Sequence, residues 1–126
     1  AYAYQTGFDF HSLNELGFWN AYAFCDKDDY NNCLALMKEI IYSIADKGVK
    51  ENELETAKQY LIGMNRFEDE SVSYTASTIS NLVALGYEPE YYLLREERIK
   101  KVNSELIWQI AKKWLLPDNQ YIYIML

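Results

Sequence analysis

A change of hydrophobic period after residue 25 constrains the fold of this chain more than any other feature. Residues 1–10 and 17–25 alternate aromatic with small or polar side chains, and period two with aromatics indicates β-strands. In the first stretch Tyr2, Tyr4, Thr6, Phe8 and Phe10 share one side; in the second the aromatic positions are Phe18, Tyr22 and Phe24. The polar segment 11–17 suits a surface loop, so the two strands are expected to pair antiparallel as a hairpin.

Most of the remaining chain carries apolar residues at helical spacing. Gly48 and Gly86 can adopt the left-handed backbone conformation that often ends a helix. Pro89 fits the first turn of a helix. Ser71, and either Asn103 or Ser104, can cap the start of a helix. Five helices are therefore predicted, over about 30–47, 50–68, 72–85, 89–99 and 104–115. Turn chemistry at 117–119 and an apolar run then predict a last strand near 120–126.

Strands followed by a run of helices predict an α+β fold with an antiparallel-rich sheet packed against about five helices. Three strands, near 1–10, 17–25 and 120–126, are few for so much helix. We therefore expect residues 1–126 to be a single partial domain, the incomplete half of a larger α+β domain. Further strands would come from upstream or from a partner chain that pairs with the exposed sheet edge. Because the chain opens directly on a strand pattern without Met, the natural polypeptide is expected to extend upstream.

Charge and composition exclude several classes of partner. The formal net charge is -7, with 12 Lys and Arg against 19 Asp and Glu, which argues against nucleic acid. No apolar run approaches the roughly 18 residues of a membrane span, so no membrane partner is predicted. Half of the residues are hydrophobic, and a packed globular body is expected.

The titratable residues suggest no catalytic centre in this chain, so no catalytic residue and no metal ligand is predicted here. His11 is the one histidine, whereas a catalytic zinc site needs three protein ligands. Cys25 and Cys33 are interpreted as free thiols, although a Cys25–His11 nucleophile is an alternative if the hairpin brings these side chains together. The acidic run 68–70 could bind a cation, but a solvated helix end is the simpler interpretation.

The tyrosines are the more informative side chains. Tyr2, Tyr4 and Tyr22 on paired strands would form an amphipathic surface suited to peptide backbones and side chains. Core filling is the alternative explanation for most of the 12 tyrosines.

Four segments in this order resemble the family of insulinase, pitrilysin and mitochondrial processing peptidase. They are AYAY at 1–4, GFWNAYA at 17–23 with Asp26 following, GVKENELETAK at 48–58, and IKKVNSE at 99–105. The resemblance runs over essentially the whole chain and fits the C-terminal part of the non-catalytic half, which lacks the inverted zinc motif. The departures are Lys50 and Leu106 at helix-capping positions, which weaken capping by about 1 kcal/mol each, and Phe24 and Cys25 in place of small residues.

The resemblance implies a role in proteolysis by a larger zinc metalloendopeptidase. Two similar halves of such an enzyme face each other across a chamber, and the zinc belongs to the catalytic half of the parent or of a partner subunit. This chain would then wall the chamber and position peptide substrates, with no cofactor of its own. Tyr2 stands at a Tyr that contacts the scissile carbonyl, and the Arg that accompanies it would lie seven positions before residue 1.

Two alternatives remain open from the sequence. The chain could be a catalytically inactive scaffold or docking subunit of the same family, or an unrelated peptide-binding α+β module. Self-association through the exposed sheet edge is expected in each case.

Overall fold

The hairpin predicted for the first residues is present. The structure is a computed structural model that describes residues 2–13 and 15–125. Strands β1 (Gln5–Ser12) and β2 (Gly17–Phe24) pair antiparallel, in a register that runs from Gln5 opposite Phe24 to Ser12 opposite Gly17. Together with the helices that follow, this pair confirms the α+β class.

The start of the first strand was predicted too early. Strand β1 begins at Gln5, so Tyr2 and Tyr4 precede it, and residue 1 lies outside the described residues. Strand β1 cannot start earlier because its neighbour β2 ends at Phe24, where the chain leaves the sheet. A single bond from the Tyr4 N–H to the Phe24 carbonyl oxygen, at 2.8 Å, continues the pairing beyond β1.

The chain folds into two compact units, residues 1–48 with 107–126 and residues 49–106. In the first unit, the hairpin is followed by a 3-10 turn, Lys27–Asp29, and by helix α1, Tyr30–Lys47. Helix α1 ends at Gly48, whose φ of 72° is the positive value that the sequence predicted. Cys33 of α1 is among the few buried residues of this unit.

The last element of the first unit was predicted as a strand, and this prediction was wrong for the residues described. Helix α6 (Ser104–Trp114), of which residues 107–114 belong to this unit, is followed by the 3-10 turn Pro117–Asn119. Residues 120–125 then belong to no strand, and residue 126 lies outside the described part. A strand requires a hydrogen-bonding neighbour, and neither β1 nor β2 pairs with this apolar segment.

The second unit contains helices α2 to α5. Helix α2 covers Glu51–Glu68 and α3 covers Val72–Ala84, both close to the predicted bounds. The Ser71 hydroxyl accepts the Tyr74 N–H at 3.3 Å, as expected of a cap. Leu54 and Ile62 of α2 are buried in this unit, at 5% and 6% exposure.

The fourth predicted helix is two helices, α4 (Glu90–Leu93) and α5 (Arg95–Lys101), and arginine side chains bond to carbonyls of α4. The Tyr92 carbonyl accepts the Arg95 guanidinium at 2.8 Å, and the Tyr91 carbonyl accepts that of Arg98 at 3.0 Å. These are carbonyls that a continuous helix would pair with backbone N–H groups four residues on. The chain breaks at Leu94, with φ -86° and ψ 2°.

The two unusual capping positions are compensated by neighbouring side chains. An ammonium group cannot accept a hydrogen bond, so only half of a capping box forms at Lys50: the Glu53 carboxylate accepts the Lys50 N–H at 3.2 Å. At α6 the Asn103 side-chain oxygen accepts the Leu106 N–H at 2.8 Å, so this cap does not need an acidic residue at 106.

Candidate functional site

A groove in the first unit is the best candidate for a binding site. Its cavity volume is about 1060 Å³. All of β2 lines it, together with the corner at residues 25–27, the groove-facing residues of α1 and the segment 118–125. An opening of this size is in the range of sites that accept ligands, and its walls are rich in aromatic and aliphatic side chains.

Two hydrogen bonds shape the groove wall. The Trp19 indole N–H donates to the Trp114 carbonyl at 3.3 Å, which connects β2 with the end of α6. The Gln120 side-chain amide donates to the Tyr42 hydroxyl, which fixes the start of the C-terminal segment against α1. Beyond this anchor the side chains are open to solvent, as Tyr121 and Tyr123 are 104% and 87% exposed.

The backbone of β2 gives the groove its chemistry. Within the described residues β2 pairs with β1 alone, so the N–H and C=O groups along its other edge have no strand partner. Such an edge accepts an extended chain through main-chain hydrogen bonds, and flanking pockets then select alternate side chains. The groove is therefore suited to an extended polypeptide.

Tyr22 is the one predicted tyrosine among the residues that line the groove. It lies opposite Gly7, and its ring crosses the Gly7 backbone so closely that a Cβ added there would overlap the Tyr22 Cζ. Phe24 packs edge-on against it, with 5.8 Å between the ring centroids. The sequence analysis missed Gly7, although a glycine inside a strand is a signal for close approach by a neighbour.

Tyr2 and Tyr4 are not among the residues that line the groove. Tyr2 is 47% exposed. The phenol of Tyr4 is hydrogen-bonded to the Asp26 carboxylate, and this bond, with partial desolvation, raises the pKa of Tyr4. Of the three tyrosines, only Tyr22 lies within a paired strand, because Tyr2 and Tyr4 precede β1.

The alternative of a thiol nucleophile is contradicted by the register. His11 lies opposite Phe18 and stacks on its ring, with 4.8 Å between the centroids. Cys25 follows the other end of β2, roughly 20 Å away at the usual rise per residue. The two side chains cannot share a proton over that distance.

The acidic run 68–70 is occupied by protein contacts. Asp69 accepts hydrogen bonds from the Arg95 guanidinium and from the hydroxyl of Tyr92, a residue that is only 6% exposed. Glu68 is hydrogen-bonded to the hydroxyl of Tyr74 and raises the pKa of Tyr74.

Over residues 2–13 and 15–125, no group of three His, Cys, Asp or Glu side chains could hold a metal ion. No helix in this part of the chain is long and apolar enough to cross a membrane.

Comparisons with known proteins relate this α+β fold to a family. The family model for the peptidase M16 inactive domain matches residues 1–61. Residues 1–61 therefore match the inactive domain of this peptidase family, which confirms the insulinase-type resemblance drawn from the sequence.

Among curated proteins, the chain is similar to the non-peptidase homolog YmxG of Helicobacter pylori. The two are 29% identical over 89 residues, which is 71% of this chain. The chain spans only 18% of the length of that relative.

Solved structures support the fold. The chain is similar to the periplasmic protease PqqL from Escherichia coli, with a TM-score of 0.68 and 22% identity over 88% of this chain and 12% of PqqL. It is also similar to the inactive peptidase domain of a candidate zinc protease from Bordetella parapertussis, with a TM-score of 0.67 and 14% identity over 90% of this chain and 62% of that one. At these identities the likeness concerns the fold alone.

Proposed function

We propose that this chain forms part of a chamber wall in a zinc-dependent peptidase and holds extended peptides for cleavage by a catalytic half. One observation carries the proposal: all of β2, which has no strand partner on its second side among the described residues, lines the groove, and residues 1–61 match the model for the peptidase M16 inactive domain. Residues 1–126 would then be a single partial domain of the complete protein.

The proposed mechanism assigns binding to this chain and hydrolysis to its partner. Peptide main-chain groups bond to the free edge of β2, while Tyr22 and Phe24 contact alternate side chains of the peptide. The described residues do not fit a metal ion, so the ligands for zinc belong to the catalytic half, in the same polypeptide or in another subunit. Tyr2, with its side chain exposed, donates a hydrogen bond to the scissile carbonyl oxygen as negative charge develops there.

Peptide titration of the chain tests the groove. We expect an unstructured peptide to shift the backbone NMR signals of β2 and of residues 118–125, and to leave those of α2 and α3 unchanged. Ala23→Arg places a long charged side chain in the groove wall and should abolish these shifts. Ala57→Arg makes the same change on the exposed surface of α2 and should preserve them. Shifts that survive Ala23→Arg, or that fall on α2, contradict the assignment.

The role of Tyr2 is tested in the complete protein together with its catalytic half. Tyr2→Phe keeps the ring and removes the hydroxyl, so we expect kcat for peptide hydrolysis to fall by about 10-fold or more while KM changes little. Tyr60→Phe is the control, since Tyr60 is an exposed residue of α2. Equal kcat values for the two variants would refute a contact between Tyr2 and the reacting carbonyl.

A scaffold or docking subunit is the second candidate function. The name of the H. pylori relative, a non-peptidase homolog, favours it. Peptide hydrolysis by the complete assembly separates the two functions: turnover that a chelator abolishes supports the peptidase, and peptide binding without turnover supports the scaffold. The family match over residues 1–61 counts against the third alternative, an unrelated α+β module.

Self-association through the hairpin is part of the same proposal. Phe8 and Phe10 of β1 are 54% and 70% exposed, and β1 has a free edge within the described residues. A two-stranded hairpin is marginal in water without further strands or a covering helix. Sedimentation over a range of concentrations should show dimers, and a strict monomer throughout contradicts pairing between copies of this chain.

A further inference from the structure

The two cysteines lie on either side of the turn that connects β2 to α1, and both line the groove. Cys25 follows Phe24, the last residue of β2, and Cys33 is the fourth residue of α1. Between them, Asp26 and the 3-10 turn Lys27–Asp29 reverse the chain. The sequence does not indicate this proximity, because their spacing matches no disulfide or metal motif.

The surroundings of the pair are partly buried and acidic. Cys33 is buried at 5% exposure and Cys25 is partly buried. Desolvation, a hydrogen bond with the Cys33 thiol and the charges of Asp29 and Asp26 raise the pKa of Cys25. A raised pKa slows thiolate chemistry near neutral pH without preventing it.

We propose that Cys25 and Cys33 form a redox-sensitive dithiol, which a low-molecular-weight disulfide converts into an intramolecular disulfide. The Cys25 thiolate attacks one sulfur of the external disulfide, forms a mixed disulfide and releases one small thiolate. The Cys33 thiolate then attacks Cys25 Sγ and releases the second small thiolate. Two protein thiols are oxidised by two electrons, and one external disulfide is reduced to two thiols.

The product would fasten the end of β2 to the first turns of α1. Because both sulfur atoms lie in the wall of the groove, oxidation changes that wall directly. Asp26 and Asp29 flank the pair, so a neutral disulfide should react faster than an anionic one. This inference does not depend on the proposed role in proteolysis.

The test treats the reduced chain with the neutral probe 2-hydroxyethyl disulfide at graded ratios to its thiol. Intact mass should fall by the mass of two hydrogen atoms, with no adduct and with no thiol left for alkylation. Cys25→Ser and Cys33→Ala should each stop at one adduct on the remaining cysteine. Mixed adducts on the unsubstituted chain without ring closure, or thiols that resist the probe at alkaline pH, overturn the proposal.

A second measurement shows whether the fold brings the thiols together. The equilibrium constant for disulfide formation reports the effective concentration of one thiol at the other. We expect it to be at least about tenfold larger in the folded chain than in urea, since the fold places both thiols in the same groove wall. Equal constants in the two states would show that sequence separation alone closes the ring, and the inference would be wrong.

Discussion

Replacing Trp108 by Phe tests how α1 and α6 are held together in the first unit. The Trp108 indole N–H donates to the Ala45 carbonyl at 3.0 Å. Ala45 lies in the last turn of α1, whose final carbonyls have no partner within the helix. The indole therefore satisfies an acceptor that the helix leaves open, and Lys112 lies over the same ring, 3.8 Å from its centroid.

The expected cost combines three small terms. Loss of the hydrogen bond to a partly buried carbonyl is worth about 1 kcal/mol. A phenyl ring attracts the Lys112 ammonium less than an indole does, and it covers less apolar surface, which adds about 0.5 kcal/mol. We therefore expect Trp108→Phe to lower the free energy of unfolding by about 1–2 kcal/mol.

Urea denaturation followed by circular dichroism measures this difference. Trp114→Phe is the matched control, because the Trp114 ring is 53% exposed and Lys113 lies farther from its centroid, at 4.9 Å. Its carbonyl, which accepts the Trp19 indole, is retained in the variant. We expect this control to change stability by less than about 0.5 kcal/mol. The reasoning is refuted if Trp108→Phe denatures at the unsubstituted midpoint, or if both variants lose the same stability.

Three further predictions concern backbone and charge. Gly48→Ala should destabilise by about 1–3 kcal/mol, because φ 72° with ψ -163° is a conformation for glycine. At Gly63 an added Cβ meets no atom within 4 Å, so Gly63→Ala should stabilise α2 by about 0.5–1 kcal/mol. Denaturation should therefore show changes of opposite sign in the free energy of unfolding for these two variants. Lys100 and Arg66 lower the pKa of Glu96 in the folded chain, so the stability that its charge contributes is present above the pKa of the unfolded chain and is lost as pH falls through the folded pKa. Glu96→Gln should therefore be less stable than the unsubstituted chain at neutral pH and equally stable in strong acid, and a gap in midpoint that persists in acid contradicts this.

The helices were predictable because their signals are local. Gly48 and Gly86 end helices α1 and α3 with positive φ, as expected from glycine in these positions. Ser71 caps α3, and α2 begins one residue after Lys50. Each of these features depends on residues within one or two helical turns, which the sequence places side by side.

The failures arise where hydrophobic spacing does not decide the outcome. Beside the break at Leu94, the Arg95 and Arg98 side chains bond to carbonyls of α4, which apolar spacing does not show. The last apolar run forms no strand, because the described residues supply no neighbour for it. The groove residues show the same limit. The residue type of Tyr22 predicted a contact residue, but its position in the groove wall depends on its pairing with Gly7.

The order of elements, a hairpin followed by helices, could be predicted from the residues alone, as could the resemblance to an inactive peptidase domain. Hydrophobic periodicity and helix capping depend on residues that are close in sequence. The three-dimensional arrangement was needed to show that Tyr22 lines a groove while Tyr2 and Tyr4 do not, and that Cys25 and Cys33 lie in the same groove wall. These facts depend on strand register and on the turn at residues 26–29, where side chains are brought together by the path of the backbone.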